Sequence, residues 1–207
     1  MFILDYFSRD THRRAKSIFN LIAPFYFLID NSLDKHYDEL IEELAMVIDV
    51  ENMTVLDVGS GTGSWANKFV KKKAKSVTGI DLSSKMVKIA SDKYPEIDFS
   101  IGDIEALRKI PDKSFDIITS SFMLHGMKSK ERLVFLYEMN RITKKHVVLN
   151  DFMGKTPFFT SFIELLEKSD YKNFKIKIIE ELLTYFATTK QIQSKNGIGL
   201  YINEKKM

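Results

Sequence analysis

Residues 55–63 read Val-Leu-Asp-Val-Gly-Ser-Gly-Thr-Gly, an apolar run that ends in an acid and three glycines spaced by one residue. Glycine accepts backbone angles that other residues avoid, and it lets the main chain approach another group closely. The pattern predicts a strand over Met53–Val58 and a helix over Ser64–Lys73. Open parallel sheets bind ligands beyond the carboxyl ends of such strands. The stretch therefore indicates a ligand-binding loop, with a ligand-free tight turn as the alternative.

Strands and helices alternate after this loop. Further strands are predicted over Ser76–Ile80, Ile97–Ile101, Phe115–Ser120 and His146–Leu149. The intervening helices are Ser83–Tyr94, with Ser83 or Ser84 as its N-cap, and Lys130–Ile142, with Leu133, Leu136, Tyr137 and Ile142 as its apolar face. Such alternation is typical of parallel strands joined by right-handed crossovers, which form a doubly wound α/β sheet.

The two ends of the chain do not follow this alternation of strands and helices. A helix after Ser32 is predicted to place six apolar residues on one face: Leu33, Tyr37, Leu40, Ile41, Leu44 and Val47. Two helices are predicted over Pro157–Lys168 and Tyr171–Tyr185. Asn196-Gly197 is a strong hairpin signal between the segments Ala187–Gln193 and Ile198–Asn203.

Together these segments predict one domain over residues 1–207. Its sheet is expected to be Rossmann-like, mostly parallel and seven-stranded, and to end in an antiparallel hairpin. The expected divisions are an N-terminal helical cap (1–48), a core (50–152), a helical lid (153–186) and the hairpin (187–207).

Composition excludes several classes of protein. The net charge of +3 arises from 31 basic and 28 acidic residues, which is weak support for a nucleic acid or an anionic membrane as the main partner. There is no cysteine, so disulfides, thiolate nucleophiles and cysteine metal sites are excluded, and no metal site is predicted. Early charges interrupt any signal-peptide segment, and the apolar run Phe25–Ile29 is too short to span a bilayer. A cytoplasmic protein is therefore expected.

Two common loop types fit the glycines poorly. A triphosphate-binding loop requires Gly-Lys-Ser/Thr, but Ser64 and Trp65 follow Gly63. A dinucleotide fingerprint requires G-x-G-x-x-G, and here the third glycine arrives one residue early. Both mismatches favour a different nucleotide-like cofactor.

The remaining pattern, Asp57-x-Gly59-x-Gly61-x-Gly63, resembles the first motif of class I S-adenosylmethionine (SAM) methyltransferases. Three later segments resemble this family in the same order: Asp81 after the second strand, Gly102–Leu107 (GDIEAL) after the third, and Phe115–His125 (FDIITSSFMLH) along the fourth. The resemblance covers about residues 50–152. It implies methyl transfer, with SAM as cofactor and S-adenosyl-L-homocysteine as product.

The resemblance also implies roles for individual residues. Asp57 would lie near the methionine amino group of SAM, or it would only hold the turn. Asp81 would accept the ribose hydroxyls and Asp103 the adenine amino group. The full set of expected cofactor-binding residues is Asp57, Gly59, Ser60, Gly61, Thr62, Gly63, Asp81, Leu82, Met86, Gly102, Asp103, Ile104, Ser120 and Phe122.

The methyl acceptor is less sharply indicated. Residues 18–26 (IFNLIAPFY) resemble the entry segment of ubiquinone/menaquinone C-methyltransferases and their small-molecule relatives, although Phe27 stands where those enzymes usually have Asp. A small-molecule O, N or C acceptor, apolar or aromatic, is therefore predicted. His125 and Tyr26 are the catalytic candidates, with pocket lining as the alternative for His125, and Asp151 is a third side chain to test as a base.

Other functions stay open at this point. They are an RNA methyltransferase acting with a partner, a non-catalytic SAM-binding protein and a nicotinamide enzyme. The exocyclic-amine motif [DN]-P-P-[YF] is absent after the fourth strand, which reads Ser120-Ser121-Phe122-Met123. A monomer and a homodimer are equally compatible with the sequence.

The ribose role of Asp81 leads to a first prediction. Replacing Asp81 by Ala should weaken SAM binding by about 1.5–3 kcal/mol, the contribution of hydrogen bonds to a charged group. Isothermal titration calorimetry measures this loss directly. An unchanged affinity would remove Asp81 from the ribose site.

Overall fold

A computed structural model of the chain describes residues 27–154, 169–194 and 197–206. Tyr26, the predicted helix Pro157–Lys168 and the hairpin residues 195–196 lie outside these ranges. The helices are α1 (Phe27–Ala45), α2 (Ser64–Lys71), α3 (Ser84–Lys93), α4 (Ile104–Arg108), α5 (Ser129–Ile142) and α6 (Tyr171–Tyr185). The strands are β1 (Thr54–Val58), β2 (Ser76–Asp81), β3 (Asp98–Ile101), β4 (Phe115–Ser121), β5 (Thr143–Phe152), β6 (Phe186–Gln193) and β7 (Ile198–Lys205).

The strands form one seven-stranded sheet in the order β3-β2-β1-β4-β5-β7-β6. The first five are parallel, whereas β7 runs antiparallel to both β5 and β6. The predicted fold class, including the antiparallel end, is thus confirmed. From β1 the chain moves outward to β2 and β3 and then returns to the other side of β1 as β4. This reversal creates a switch point at the carboxyl ends of β1 and β4.

Two apolar layers cover the sheet because successive strand residues point to opposite faces. Val55 belongs to a layer that includes α1 and α2, and its neighbour Leu56 belongs to the layer with α5 and α6. The first layer contains Leu40, Leu44, Trp65, Phe69 and Ile117, and the second contains Ile118, Leu136, Met139, Phe174 and Leu182.

Two details of the helix predictions were wrong. Val47 is 37% exposed because α1 ends at Ala45 and the following turn buries Ile48 instead. Tyr137 is 51% exposed, since the buried stripe of α5 passes through Phe135 and Met139 at helical spacing. The short helix α4 was not predicted.

The buried side chain of Arg132 forms ion pairs within the layer that contains α5 and α6. The side chain of Arg132 on α5 is fully buried; its Nε lies 2.7 Å from Glu181 Oε2 on α6, and a terminal nitrogen lies 2.9 Å from Asp170 Oδ2. The same guanidinium donates to the carbonyl of Met127, just after the 3-10 turn Leu124–Gly126. Arg132 therefore fixes the position of this turn against two helices.

Removing this cation should destabilise the fold. Arg132→Met leaves the carboxylate of Glu181 buried without its main partner, a change that costs about 3–5 kcal/mol. The matched control is Arg108→Met, because Arg108 pairs with Glu105 at the surface and such pairs contribute about 0–1 kcal/mol. Urea unfolding of both variants measures the difference. Equal losses would contradict this role for Arg132.

Candidate functional site

The loop between β1 and α2 is held open by its neighbours. Gly59, Gly61 and Gly63 all have positive φ, at 73°, 52° and 80°. The amides of Gly59 and Ser60 both donate to the carbonyl of Ile80 on β2, at 2.8 and 3.1 Å. A Cβ placed on Gly61 would meet no atom within 4 Å. The loop is thus fixed to the sheet but presents open space at its centre.

A small cleft that is partly open to solvent lies over this loop. Its lining consists of Leu33, Tyr37, Gly59, Ser60, Gly61, Thr62, Ser64, Trp65 and Ser121. Four predicted cofactor-binding residues, 59–62, are therefore among its walls. The predicted set did not include the other five lining residues, which are Leu33, Tyr37, Ser64, Trp65 and Ser121. The sequence signal that could have indicated Tyr37 was a polar hydroxyl on an otherwise apolar helix face.

Asp57, near the end of β1, lies beside this loop. Its side chain is fully buried, and neither carboxyl oxygen has a hydrogen-bond partner among the described residues. Burial, and then the charge of Asp81, raises the pKa of Asp57 well above its ordinary value. An unpaired buried carboxylate is costly. A cationic or hydrogen-bond-donating ligand would supply what the protein leaves unsatisfied.

Asp81, at the end of β2, has its hydrogen bonds already in place. Its Oδ2 accepts from the Gly61 amide at 2.9 Å, and its Oδ1 accepts from the Ser83 amide at 2.8 Å. Burial raises the pKa of Asp81, and these two hydrogen bonds oppose that shift. Each oxygen keeps a second lone pair for a ligand hydroxyl. The effect of Asp81→Ala thus combines a lost ligand contact with a looser glycine loop.

The other predicted cofactor residues follow β2 and β3. Ser83 caps α3 by accepting from the Met86 amide at 3.2 Å, and Met86 is buried. Asp103 caps α4 through Oδ1, which accepts from the Glu105 amide at 2.9 Å. The half-buried members of this set are Leu82, Gly102, Asp103 and Ile104. Since β2 and β3 are adjacent and parallel, this set lies along the same edge as the glycine loop.

The end of β4 joins the cleft to the neighbouring strand. Ser121 Oγ lies 2.9 Å from the Tyr37 hydroxyl and accepts from Asn150 Nδ2 at 3.0 Å. Ser120, which was the predicted residue, is buried, and its hydroxyl has no hydrogen-bond partner in the described part of the chain. Alternation along the strand gives the two serines opposite faces. Ser121 is the one that lines the cleft.

Phe122 has an uncommon backbone. Its φ of +50° is an outlier for a bulky side chain, and such strain persists where surrounding structure over-determines it. Its ring centroid lies 6.5 Å from that of Tyr37 on the cleft side and 5.4 Å from that of Phe152 on the other. Phe122 therefore stands between the cleft and a second group of aromatic side chains.

His125 belongs to that second group. It is 8% exposed in the 3-10 turn, and its Nδ1 lies 2.8 Å from Asp151 Oδ1. Its ring centroid lies 4.8 Å from that of Phe152 and 6.4 Å from that of Phe174. On the other side, Trp65 lines the glycine-loop cleft; its ring is buried, and its Nε1 donates to Thr119 at 2.8 Å. The structure thus separates an aromatic region around His125 from the glycine-loop cleft.

These features define a class of protein: a doubly wound sheet whose switch-point loop can hold a nucleotide-like cofactor carrying a cationic group. A protein-family model described as "Methyltransferase domain" matches residues 55–146. Demethylmenaquinone methyltransferase from Thermotoga maritima is 33% identical over 162 residues, covering 74% of this chain and 68% of that protein. The same enzyme from Renibacterium salmoninarum is 31% identical over 159 residues, covering 74% and 65%.

Solved structures agree in fold. Magnesium protoporphyrin IX methyltransferase from Synechocystis PCC 6803, solved with bound SAH, has a TM-score of 0.74 at 17% identity, covering 95% of this chain and 100% of that one. The chain belongs to the class I SAM-dependent methyltransferases. It spans about two thirds or less of the length of the curated relatives named here.

The residues present fit the cofactor of this family. The methionine part of SAM carries an ammonium group, which matches the carboxyl group of Asp57, since that group lacks a hydrogen-bond partner within the part of the chain that the structure describes. The open space at Gly61 leaves room for a ligand against the backbone. None of the described helices has the length and apolar character needed to cross a membrane.

The raised pKa of Asp57 has a consequence for stability. A carboxyl group whose pKa is raised by folding stabilises the folded state below its unfolded pKa, and that contribution is lost as pH rises through the folded pKa. Asp57→Asn removes the titration. The cofactor-free variant should therefore gain stability over wild type as pH increases, while its SAM affinity falls. Urea unfolding across a pH series, with calorimetry, checks both effects. Parallel stability curves for the two proteins would contradict the raised pKa.

Proposed function

We propose that this chain transfers the methyl group of SAM to a small apolar or aromatic acceptor. The observation that carries the proposal is the buried Asp57, whose carboxyl group has no hydrogen-bond partner in the described ranges, beside an open glycine loop at the switch point of the sheet. Structural carboxylates in protein interiors are normally paired. The position of the Asp57 carboxyl group at the ligand-binding edge is therefore best explained by a ligand that forms hydrogen bonds with it.

The cofactor assignments follow from the positions of three acids. Asp57 would accept the ammonium group, Asp81 the ribose hydroxyls and Asp103 the adenine amino group. Asp57 is the penultimate residue of β1, Asp81 ends β2 and Asp103 follows β3. These three strands are consecutive in the sheet. When bound, SAM supplies an activated methyl group on a sulfonium leaving group. The chain would orient the acceptor and exclude water from it.

The acceptor would bind on the far side of Phe122, near His125. The rings of Phe152 and Phe174 make this region apolar, and both contact the histidine. Relatives named for demethylmenaquinone and a structural neighbour named for magnesium protoporphyrin IX support a small molecule over a macromolecule. His125 is the catalytic candidate within the described ranges. Tyr26 stays a prediction, as do the cytoplasmic location, the monomer or homodimer and the domain divisions.

A methyl-transfer screen tests the proposal. Radiolabelled SAM would be incubated with the protein and pools of hydroxyaromatics, quinols, amines and tRNA, and transfer would be followed by extraction of labelled product. Label should appear in a hydroxyaromatic or quinol pool. Tight SAM binding with no labelled pool would contradict the enzymatic proposal, and label in tRNA would redirect it to RNA. Calorimetry with NADH, for which no heat is expected, is the control for the cofactor.

A further inference from the structure

Two helices that are far apart in the chain supply side chains to the cofactor cleft. Leu33 and Tyr37 on α1 line it on one side, and Ser64 and Trp65 at the start of α2 line it on another. We call these pairs the α1 wall and the α2 wall. The walls touch, since the ring centroids of Tyr37 and Trp65 are 5.3 Å apart. The shape of the cleft therefore depends on how closely α1 packs against α2.

A buried lysine joins these two helices next to the cleft. The side chain of Lys68 on α2 is fully buried, and its Nζ lies 2.8 Å from Asp34 Oδ1 and 2.6 Å from Asp38 Oδ1. Each aspartate directly follows a residue of the α1 wall in the chain. Lys68 itself lies one helical turn after Ser64 and Trp65, at the spacing that places side chains side by side. Its ion pairs therefore connect the two walls.

The environment of Lys68 keeps its ammonium group charged. Burial by itself would lower the pKa of Lys68, but hydrogen bonds to Asp34 and Asp38 outweigh it and raise the pKa. The hydrogen bond with Lys68 in turn lowers the pKa of Asp38, and the Nζ of Lys71 lies 3.9 Å from the same carboxylate. A buried charge is costly without partners. Lys68 can therefore stay buried only while α1 supplies its carboxylates.

The apolar packing of α1 is centred on its carboxyl-terminal half. Among the side chains of α1 that the structure describes, Leu40 and Leu44 are fully buried, and both follow the α1 wall in the chain. Leu33, at the other end of the described stretch, is half-buried. The ion pairs of Lys68 thus add contacts to the half of α1 that carries the α1 wall, where apolar burial is less complete.

We propose that Lys68 is a positioning residue that, through Asp34 and Asp38, holds the α1 wall over bound SAM and sets how long the cofactor stays in the cleft. This assignment rests on the methyl transfer proposed above. Lys68 is not among the described residues that line the cleft, so it acts through α1 and not by touching the cofactor. Separation of both ion pairs frees the α1 wall to move away from Trp65, and the cofactor leaves by that opening.

A general stabilising role for Lys68 is the competing explanation, and the chain offers a matched control for it. Lys72 Nζ lies 2.6 Å from Glu42 Oε2. Lys72 follows Lys68 by one helical turn, and Glu42 follows Asp38 by one turn, so this pair joins the same two regions. Lys72 is the C-cap of α2, at the opposite end of that helix from the cleft. Lys72→Met therefore removes an ion pair between α1 and α2 without touching the walls.

Lys68→Met is the matching change at the cleft. Methionine is an apolar side chain of similar length, and replacing a buried ion pair by apolar packing is often neutral for stability. The side chains of Asp34 and Asp38 are 37% and 53% exposed, so both carboxylates return to water when the ammonium is removed. Asp38→Asn is a second variant, because it keeps Lys68 paired with Asp34 and carries the test if Lys68→Met does not fold.

Quenching of tryptophan fluorescence by acrylamide is the first measurement. Trp65 is the only tryptophan of the chain, lines the cleft and is 2% exposed, so its fluorescence reports on access to the cleft. In the ligand-free protein, Lys68→Met should raise the quenching constant, and Lys72→Met should keep the wild-type value. A wild-type constant in Lys68→Met would overturn the positioning role, whichever cofactor the cleft binds.

Stopped-flow fluorescence with SAM is the second measurement. The observed rate, followed at a series of SAM concentrations, gives the association and dissociation rate constants. Lys68→Met should raise the dissociation rate constant by roughly 10-fold, since the loss of a contact acts mainly on dissociation. Asp38→Asn should raise it in the same direction, and adding Asp38→Asn to Lys68→Met should have little further effect because both act through one ion pair. Wild-type dissociation from Lys68→Met, or an equal rise in Lys72→Met, would overturn the proposal.

The two proposals fail in different ways. If SAM changes neither the fluorescence nor the heat of wild type, the methyltransferase proposal is wrong, and acrylamide quenching still decides whether Lys68 holds the α1 wall. If SAM binds wild type and leaves Lys68→Met at the wild-type rate, only the role of Lys68 is wrong. Urea unfolding of Lys68→Met and Lys72→Met shows whether faster dissociation reflects a less stable fold.

Discussion

The parallel pairing of β1 with β2 on one side and with β4 on the other is the constraint on which the site depends. Because the chain leaves β1 in one direction and returns on the other side, no crossover connection covers the carboxyl end of β1. The glycine loop, the end of β2 at Asp81 and the end of β4 at Ser121 all meet there. The glycines allow the loop to adopt its backbone conformation, and the strand order creates the crevice next to the loop.

The buried charges of this chain fall into two groups. Arg132 and Asp151 have several partners each, and they hold the 3-10 turn that carries His125. Asp57 has no hydrogen-bond partner among the described residues, although it is equally buried. Satisfied charges stabilise one arrangement of the fold, whereas an unsatisfied one raises the energy of the ligand-free state. The structure thus places its unfavourable carboxylate where a cationic cofactor group can relieve the cost.

Much of the fold was predictable because its signals are local. Three such signals are the alternating hydrophobic spacing of strands and helices, the serine cap at Ser83 and the Asn-Gly dipeptide. Each depends on a few adjacent residues, and the strands and helices that they predicted are present. The errors at Val47 and Tyr137 arose where a helix end or the packing of a neighbouring element decided exposure. In the site, Gly59 and the three residues after it line the cleft as the motif suggested.

The sequence by itself determined the order of strands and helices, the glycine loop and the family resemblance. Each of these depends on residues that are adjacent in the chain. Tertiary structure alone decided which side chains meet. Tyr37 reaches Ser121 across 84 residues, and His125 reaches Asp151 across 26. The second contact requires β4 and β5 to be paired in one register, since a shift of one residue would turn the Asp151 side chain to the other face of the sheet.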